Sequence, residues 1–385
     1  MYQEMASFRH PTVILGGQDF FNNTWRAWRA LLSGVNIYAP TNAAIPGIEP
    51  AWPVGQHVPA SLLWQVPFAA LPAQLALFAF TLASILAIWA GVFVLTSPTQ
   101  PWAVLGSATC GAFAILIGGG PETLLLGQPT GFMLLGLAIL VRARGPWQAG
   151  LGFMFAATTL QSGVPLALAL LVLNGWPVLW RGIVLILACS ALPVGLEIAN
   201  SGLLDFATSF VSGAVDHLGQ QSNRIDLGAL LRTLGIASVA LRVVAGLALV
   251  AICIAYLARL PQHARRIQNP RVLCLVISMT LLCTYHQYYD VLLVAGAVVP
   301  MIAIVDRSWS MLPSFGLAAI GSTLALYYFR DVATPLCLLG VAVGGAIAVK
   351  NADGWHLLAL AARHASSSPA AVRTAVRNAT GRLNG

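Results

Sequence analysis

Apolar residues in this chain come in runs long enough to cross a hydrocarbon core about 30 Å thick. Eleven such segments lie at approximately 71–96, 102–120, 128–141, 147–160, 163–175, 182–199, 235–258, 271–285, 288–305, 311–328 and 332–350. Several are shorter than the ~20 residues a straight span needs. The pair 147–160 and 163–175 is the weakest, split by Gln161, Ser162, Gly163 and Pro165. It reads either as two short helices or as one broken re-entrant unit, and broken backbone at membrane depth survives only against protein or a water-filled cavity. The pattern predicts an all-α fold: a polytopic transmembrane helical bundle forming one domain over residues 1–350. Hydrophilic external stretches are expected at 17–59 and 200–233, and a basic cytoplasmic tail at 351–385.

Composition supports the membrane reading. Of 385 residues, 58% are hydrophobic and only 8% charged, against about 25% charged in a soluble domain. The net charge is +8. Its arginines are scattered between apolar runs instead of sharing one face, which argues against nucleic-acid binding. Charge on alternate loops sets orientation. One set holds Arg142, Arg144, Arg181, Arg259, Arg265, Arg266, Arg271, Arg307 and Lys350, and the tail adds Arg363, Arg373, Arg377 and Arg382. The other holds only Arg26, Arg29, Arg224, Arg232 and Arg330. The first set is therefore expected inside. Asp19, Glu49, Glu122, Asp205, Asp216, Asp226 and Asp331 all fall outside. Each of the six cysteines lies in an apolar segment without metal-ligand spacing, which reads as ordinary small side chains.

Polar and ionisable groups thus gather on the outer face. Asp19 sits among aromatic residues ahead of Arg26 and Arg29. Asn22, Trp25, Arg26 and Arg29 recur at helical spacing. Asp19 is either a helix N-cap at an interface or a general base with Arg nearby to hold an anionic group. In GGGPETLLLGQPTG, residues 118–131, Gln128 opens a helix whose N-terminus suits phosphate or is simply capped. In TYHQYYD, residues 284–290, His286 and Asp290 stand four apart at a membrane edge. Between 216 and 235, Asn223 and Arg224 are placed to hold phosphate or sugar hydroxyls, or belong to an interfacial helix. Gln161 and Arg242 are polar groups within apolar runs. Arg242 is either functional or snorkels outward.

Taken in order, these motifs resemble those of the polytopic C-type (GT-C) glycosyltransferases, specifically glycosyltransferase family 87. DFFNNTWRAWRALLSGVNIY (19–38) is similar to the family's DF…Y-x-A-x-x-A-L-x-x-G-x-x-P-Y, and HVPASLLWQVPFAALP (57–72) to its YPP-x-x-x-L-x-x-P-x-x-x-L-P. The stretch GQPTG through GVPL (127–166) resembles its GQ-x-N block, small-residue helix and K-x-x-P segment, and YHQYYDVLLV (285–294) its H-x-x-Y-D-L block.

The resemblance implies an inverting mannosyl- or arabinofuranosyltransferase-like enzyme of the cell envelope. It would use a polyprenyl-phosphate sugar as co-substrate and a lipid or glycan acceptor outside the cytoplasmic membrane. Asp19 would be the general base; Arg26, Gln128, Gln161, Asn223, Arg224, His286 and Asp290 would line the substrate. No cofactor is expected, and the sequence leaves a divalent metal open without giving a dedicated site. The chain departs from the pattern at Gln161 (lysine in the family), at Thr130 (asparagine) and at His57–Val58. The family also has a membrane helix before its DF motif, where only 18 residues stand here, so a first helix is expected to be missing. Two other readings remain: a secondary transporter and a catalytically degenerate member.

Overall fold

The computed structural model describes residues 17–38, 57–173, 175–219, 225–236, 238–284, 286–306, 311–324 and 330–365. Among them there is no strand, and His57 and Thr159 form an antiparallel bridge. Helix α1 runs without a break through Gln18–Phe20, a π-helical turn Phe21–Trp25, and Arg26–Leu32. Then follow α2 Pro59–Ala69, α3 Ala73–Thr96, α4 Pro101–Leu116, α5 Gly120–Leu126, α6 Thr130–Arg142, α7 Pro146–Ala156 and α8 Leu160–Val172. Next come α9 Trp176–Ser201, α10 Leu203–Gly219, α11 Leu227–Thr233, α12 Val239–Arg259 and α13 Pro270–Cys283. The mixed 3₁₀ and π stretch Tyr288–Asp306 is α14, and α15 Leu312–Leu324 and α16 Arg330–Ala365 close the bundle.

Several starts are written in the sequence. Proline heads α2, α4, α7 and α13, where its missing N–H and fixed φ cost nothing. Among the described residues, five helices are long and apolar enough to cross a membrane: α3, α9, α12, α14 and residues 332–349 of α16. Helices α4 and α5, bent by 54° at the glycine break, make a sixth if counted as one span. The pair 147–160 and 163–175 resolves as two helices, α7 and α8.

Burial follows position in the bundle. Along α3, Leu75, Phe78, Leu82 and Leu86 are exposed apolar residues at helical spacing, a face suited to lipid. In α14, by contrast, 89% of the span is buried, and it threads the centre. Helices α6 and α7 approach closely. A Cβ on Gly136 would lie 2.6 Å from the Ala156 nitrogen and 2.8 Å from the Gly152 carbonyl, so only small residues permit the crossing.

The two ends of the bundle differ. At one, the Arg142 guanidinium donates to the Leu95 carbonyl (Nε 2.8 Å), and Arg271 bonds both Asp306 oxygens (2.7 and 3.2 Å) and the Ala348 carbonyl (2.6 Å). Arg144, Arg265 and Arg266 lie in connections at this same end, with Arg181 near the start of α9 and Arg259 at the end of α12. The other end carries α1, the turn before α6, the connection from α7 to α8, and the start of α14. Within the stretch 17–59, expected as external, residues 18–32 form helix α1, whose Phe20, Ala27, Trp28 and Leu31 are buried.

Candidate active site

Asp19 stands in the first turn of α1. Its position is fixed from both sides. Ahead of it, the Gly17 N–H donates to the Leu125 carbonyl at 2.5 Å. Behind it, Phe20 stacks against Phe80 at 4.7 Å, and Phe80 also meets Phe68 and Phe132. Trp25 and Trp28 anchor the rest of α1, donating to the carbonyls of Leu71 (2.9 Å) and Leu62 (2.6 Å). Thr24 donates to Gln65. The π-helical turn that begins one residue after Phe20 is a feature often found at functional sites.

Gln128 reaches Asp19 from a different part of the chain. Helix α5 is capped at its C-terminus by Gly127, whose φ of +71° is open to glycine and strained for other residues. A Cβ there would also lie 2.5 Å from the Phe20 Cβ. The turn so formed directs the Gln128 amide nitrogen to donate to Asp19 Oδ2. Burial raises the Asp19 carboxyl from its ordinary value to about 6, and the Gln128 hydrogen bond opposes that shift.

A second polar cluster adjoins the first through Thr130, two residues after Gln128. The Thr130 hydroxyl donates to Asp290 Oδ1 at 3.1 Å, and Asp290 Oδ2 lies 2.9 Å from His286 Nδ1. His286 is fully buried. Its backbone N–H faces Asp226 Oδ2 at 3.4 Å and its carbonyl accepts from the Ile225 N–H at 3.0 Å. Asp226 Oδ1 caps α11 through the Ala229 N–H at 3.0 Å. Nearby, the Thr284 hydroxyl donates to the Gln161 carbonyl at 2.9 Å, and the Val58 N–H to the Thr158 carbonyl at 2.9 Å. A small apolar cavity extends among α6, α8, α13 and α14, with Ser162 and Thr280 as its polar lining.

The residues singled out in the sequence fall into several groups. Asp19 and Gln128 meet directly, and His286 and Asp290 form a pair that Thr130 adjoins. Gln161 is tied to the Thr284 segment through its backbone. Arg26 donates to Asn22 at 3.1 Å and Arg29 lies over the Trp25 ring at 4.1 Å, so the expected shared face of Asn22, Trp25, Arg26 and Arg29 is realised. Asn223 and Arg224 lie outside the described residues. Helix α6 begins at Thr130, two residues later than expected, with Gln128 left in the turn. Thr130 and Asp226 carry structural roles the motif reading did not give them. Asp226 had a local signal, since an acid three residues before a backbone N–H in an amphipathic run is an N-cap pattern. Among the described residues no three His, Cys, Asp or Glu side chains are grouped to hold a metal ion.

The family model for glycosyltransferase family 87 matches residues 57–285, more than half of the chain. The protein belongs to glycosyltransferase family 87. Gln128, Thr130 and Gln161 lie within the matched region; Asp19, Arg26, His286 and Asp290 flank it. No curated protein and no solved structure matches the chain. Membership, together with the long apolar helices, makes this a membrane glycosyltransferase acting on a sugar donor and an acceptor.

Proposed function

We propose that this family 87 protein transfers a mannose- or arabinofuranose-like sugar from a polyprenyl-phosphate donor to a lipid or glycan acceptor, with inversion, and that Asp19 is the general base. The observation that carries the reading is the Asp19 carboxyl. It is held by Gln128 at the polar end of the bundle and raised to about 6, near the value at which a carboxylate both ionises and accepts a proton well at neutral pH.

The step is a single displacement. Asp19 takes the proton of the acceptor hydroxyl as its oxygen bonds to the anomeric carbon. The bond from that carbon to the phosphate oxygen breaks on the opposite face, and its electron pair leaves with polyprenyl phosphate. Arg26, Gln128, Gln161, His286 and Asp290 are assigned to the substrates. Arginines at the end of the bundle away from Asp19 support an extracytoplasmic site and a cytoplasmic C-terminus.

The test is transfer of radiolabelled sugar in membranes containing the protein, with a polyprenyl-phosphate mannose or arabinose donor, wild type beside Asp19→Asn. Transfer by the wild type with a loss of ~10²-fold or more in the variant is the expected result. Equal activity of the two removes Asp19 as the base, and no transfer from either donor removes the proposed donor class.

A further inference from the structure

Arg242 lies within α12, near its first turn, and is only 7% exposed. Its neighbours Leu241, Val243 and Val244 are exposed, so the arginine points into the bundle while the residues beside it face lipid. Snorkelling to a polar surface would give the opposite pattern. The buried residues of α12 are Arg242, Gly246, Cys253 and Leu257, one helical face. On that face Gly246 touches the end of α13: a Cβ there would lie 2.6 Å from the Cys283 carbonyl. Arg242 is one turn nearer the polar end of the bundle. The chain leaving Cys283 at that level carries Thr284, bonded to Gln161, and then His286.

The Arg242 Nε is buried with no hydrogen-bond partner, and among the described residues no carboxylate pairs with its guanidinium. His286 Nε2 is likewise buried and without a partner, while its Nδ1 is engaged by Asp290. A guanidinium at the membrane edge with no counter-charge is strongly unfavourable, and it becomes favourable when an anion completes the pair. The planar fork of arginine matches phosphate oxygens, and the lipid-facing side of α12 leaves room for an apolar tail alongside.

We infer that Arg242, with His286 beside the same turn, binds a lipid-borne phosphate, and that this phosphate is the leaving group of the proposed reaction. The inference rests on the proposed donor class but is tested without turnover. The full chain in nanodiscs is titrated with undecaprenyl phosphate, with uncharged undecaprenol and with phosphatidylglycerol, using native mass spectrometry and thermal unfolding. Wild type is expected to prefer undecaprenyl phosphate over undecaprenol. Arg242→Gln and Arg242→Met are expected to lose about tenfold or more in affinity for the phosphate and nothing for the alcohol, whereas Arg242→Lys retains most of it. Without lipid phosphate, Arg242→Met unfolds at the same or a higher temperature than wild type, because an unpaired buried charge has been removed.

Unchanged phosphate affinity in the folded Gln or Met variant overturns the inference, as does an effect confined to phosphatidylglycerol. If neither variant folds, Arg242→Lys decides: retained affinity upholds the site, and its full loss in a folded protein overturns it. Arg242-dependent phosphate binding by a protein that transfers no sugar upholds this site while the transfer reading fails. Transfer with an unchanged donor KM in Arg242→Gln does the reverse.

Discussion

Gln128 donates a hydrogen bond to Asp19 across 109 residues of sequence. The amide has two effects at once: it fixes the direction of the carboxylate and favours its charged form. Burial raises the proton affinity of Asp19 and the hydrogen bond restrains that rise.

For a base of this kind, kcat/KM falls as protons occupy it. Asp19 is protonated below about 6 and ionised above. The expected profile of kcat/KM therefore rises through pH 6 to a plateau and is lost on acidification. Initial rates in membranes buffered between pH 5 and 8 measure it. A flat profile across that range assigns the proton acceptor elsewhere.

Replacing Gln128 by Leu removes the donor that favours the carboxylate. The Asp19 carboxyl then rises further, and the acid limb of the profile moves above pH 6. Activity at pH 6 drops more than activity at pH 8. A uniform drop at all pH values shows that Gln128 contacts substrate and does not tune Asp19.

Gly127→Ala adds a methyl at a φ of +71° and against the Phe20 Cβ. The left-handed conformation alone costs about 1–2 kcal/mol for an L-residue. Phe20 is the immediate neighbour of Asp19, so kcat/KM is expected to fall by at least tenfold, together with a lower melting temperature. Thermal unfolding in detergent and initial rates measure the two effects separately.

Glu197 is fully buried within α9, and its Oε1 accepts from the Ile37 N–H at 3.0 Å. This contact ties the end of the 17–38 segment to a membrane-spanning helix. Glu197→Leu leaves the Ile37 N–H buried without an acceptor, at a cost of about 1–3 kcal/mol. Glu197→Gln keeps an acceptor and is expected to unfold at a temperature between those of wild type and Glu197→Leu. Equal melting temperatures for Leu and wild type rule out a structural role for the bond.

Much of the architecture was legible because the apolar runs and proline starts act locally. Pro101, Pro146 and Pro270 each open a helix where the pattern expects one. The candidate site was legible only as separate motifs: Asp19, Gln128 read as a helix start, and His286 with Asp290. Their pairing was not, because hydrogen bonds such as Thr130 to Asp290 join segments whose spacing has no period. The spacing of Asn22, Trp25, Arg26 and Arg29 pointed to a helix within 17–38, but that polar pattern did not announce its burial. Its Trp25 and Trp28 hold it down through indole N–H groups on backbone carbonyls, partners that any sequence supplies. The inward aim of Arg242 was equally hidden, since it depends on which face of α12 meets Cys283.

At the opposite end, one side chain gathers three helices. Arg271 of α13 donates to Asp306, which closes α14, and to the Ala348 carbonyl within α16. Those three helices cannot part there without leaving a cation unpaired and breaking several charge-assisted bonds at once. The far end is therefore a fulcrum. Any parting of these three helices has to begin at the Asp19 end, away from the guanidinium, as a fan opens away from its rivet.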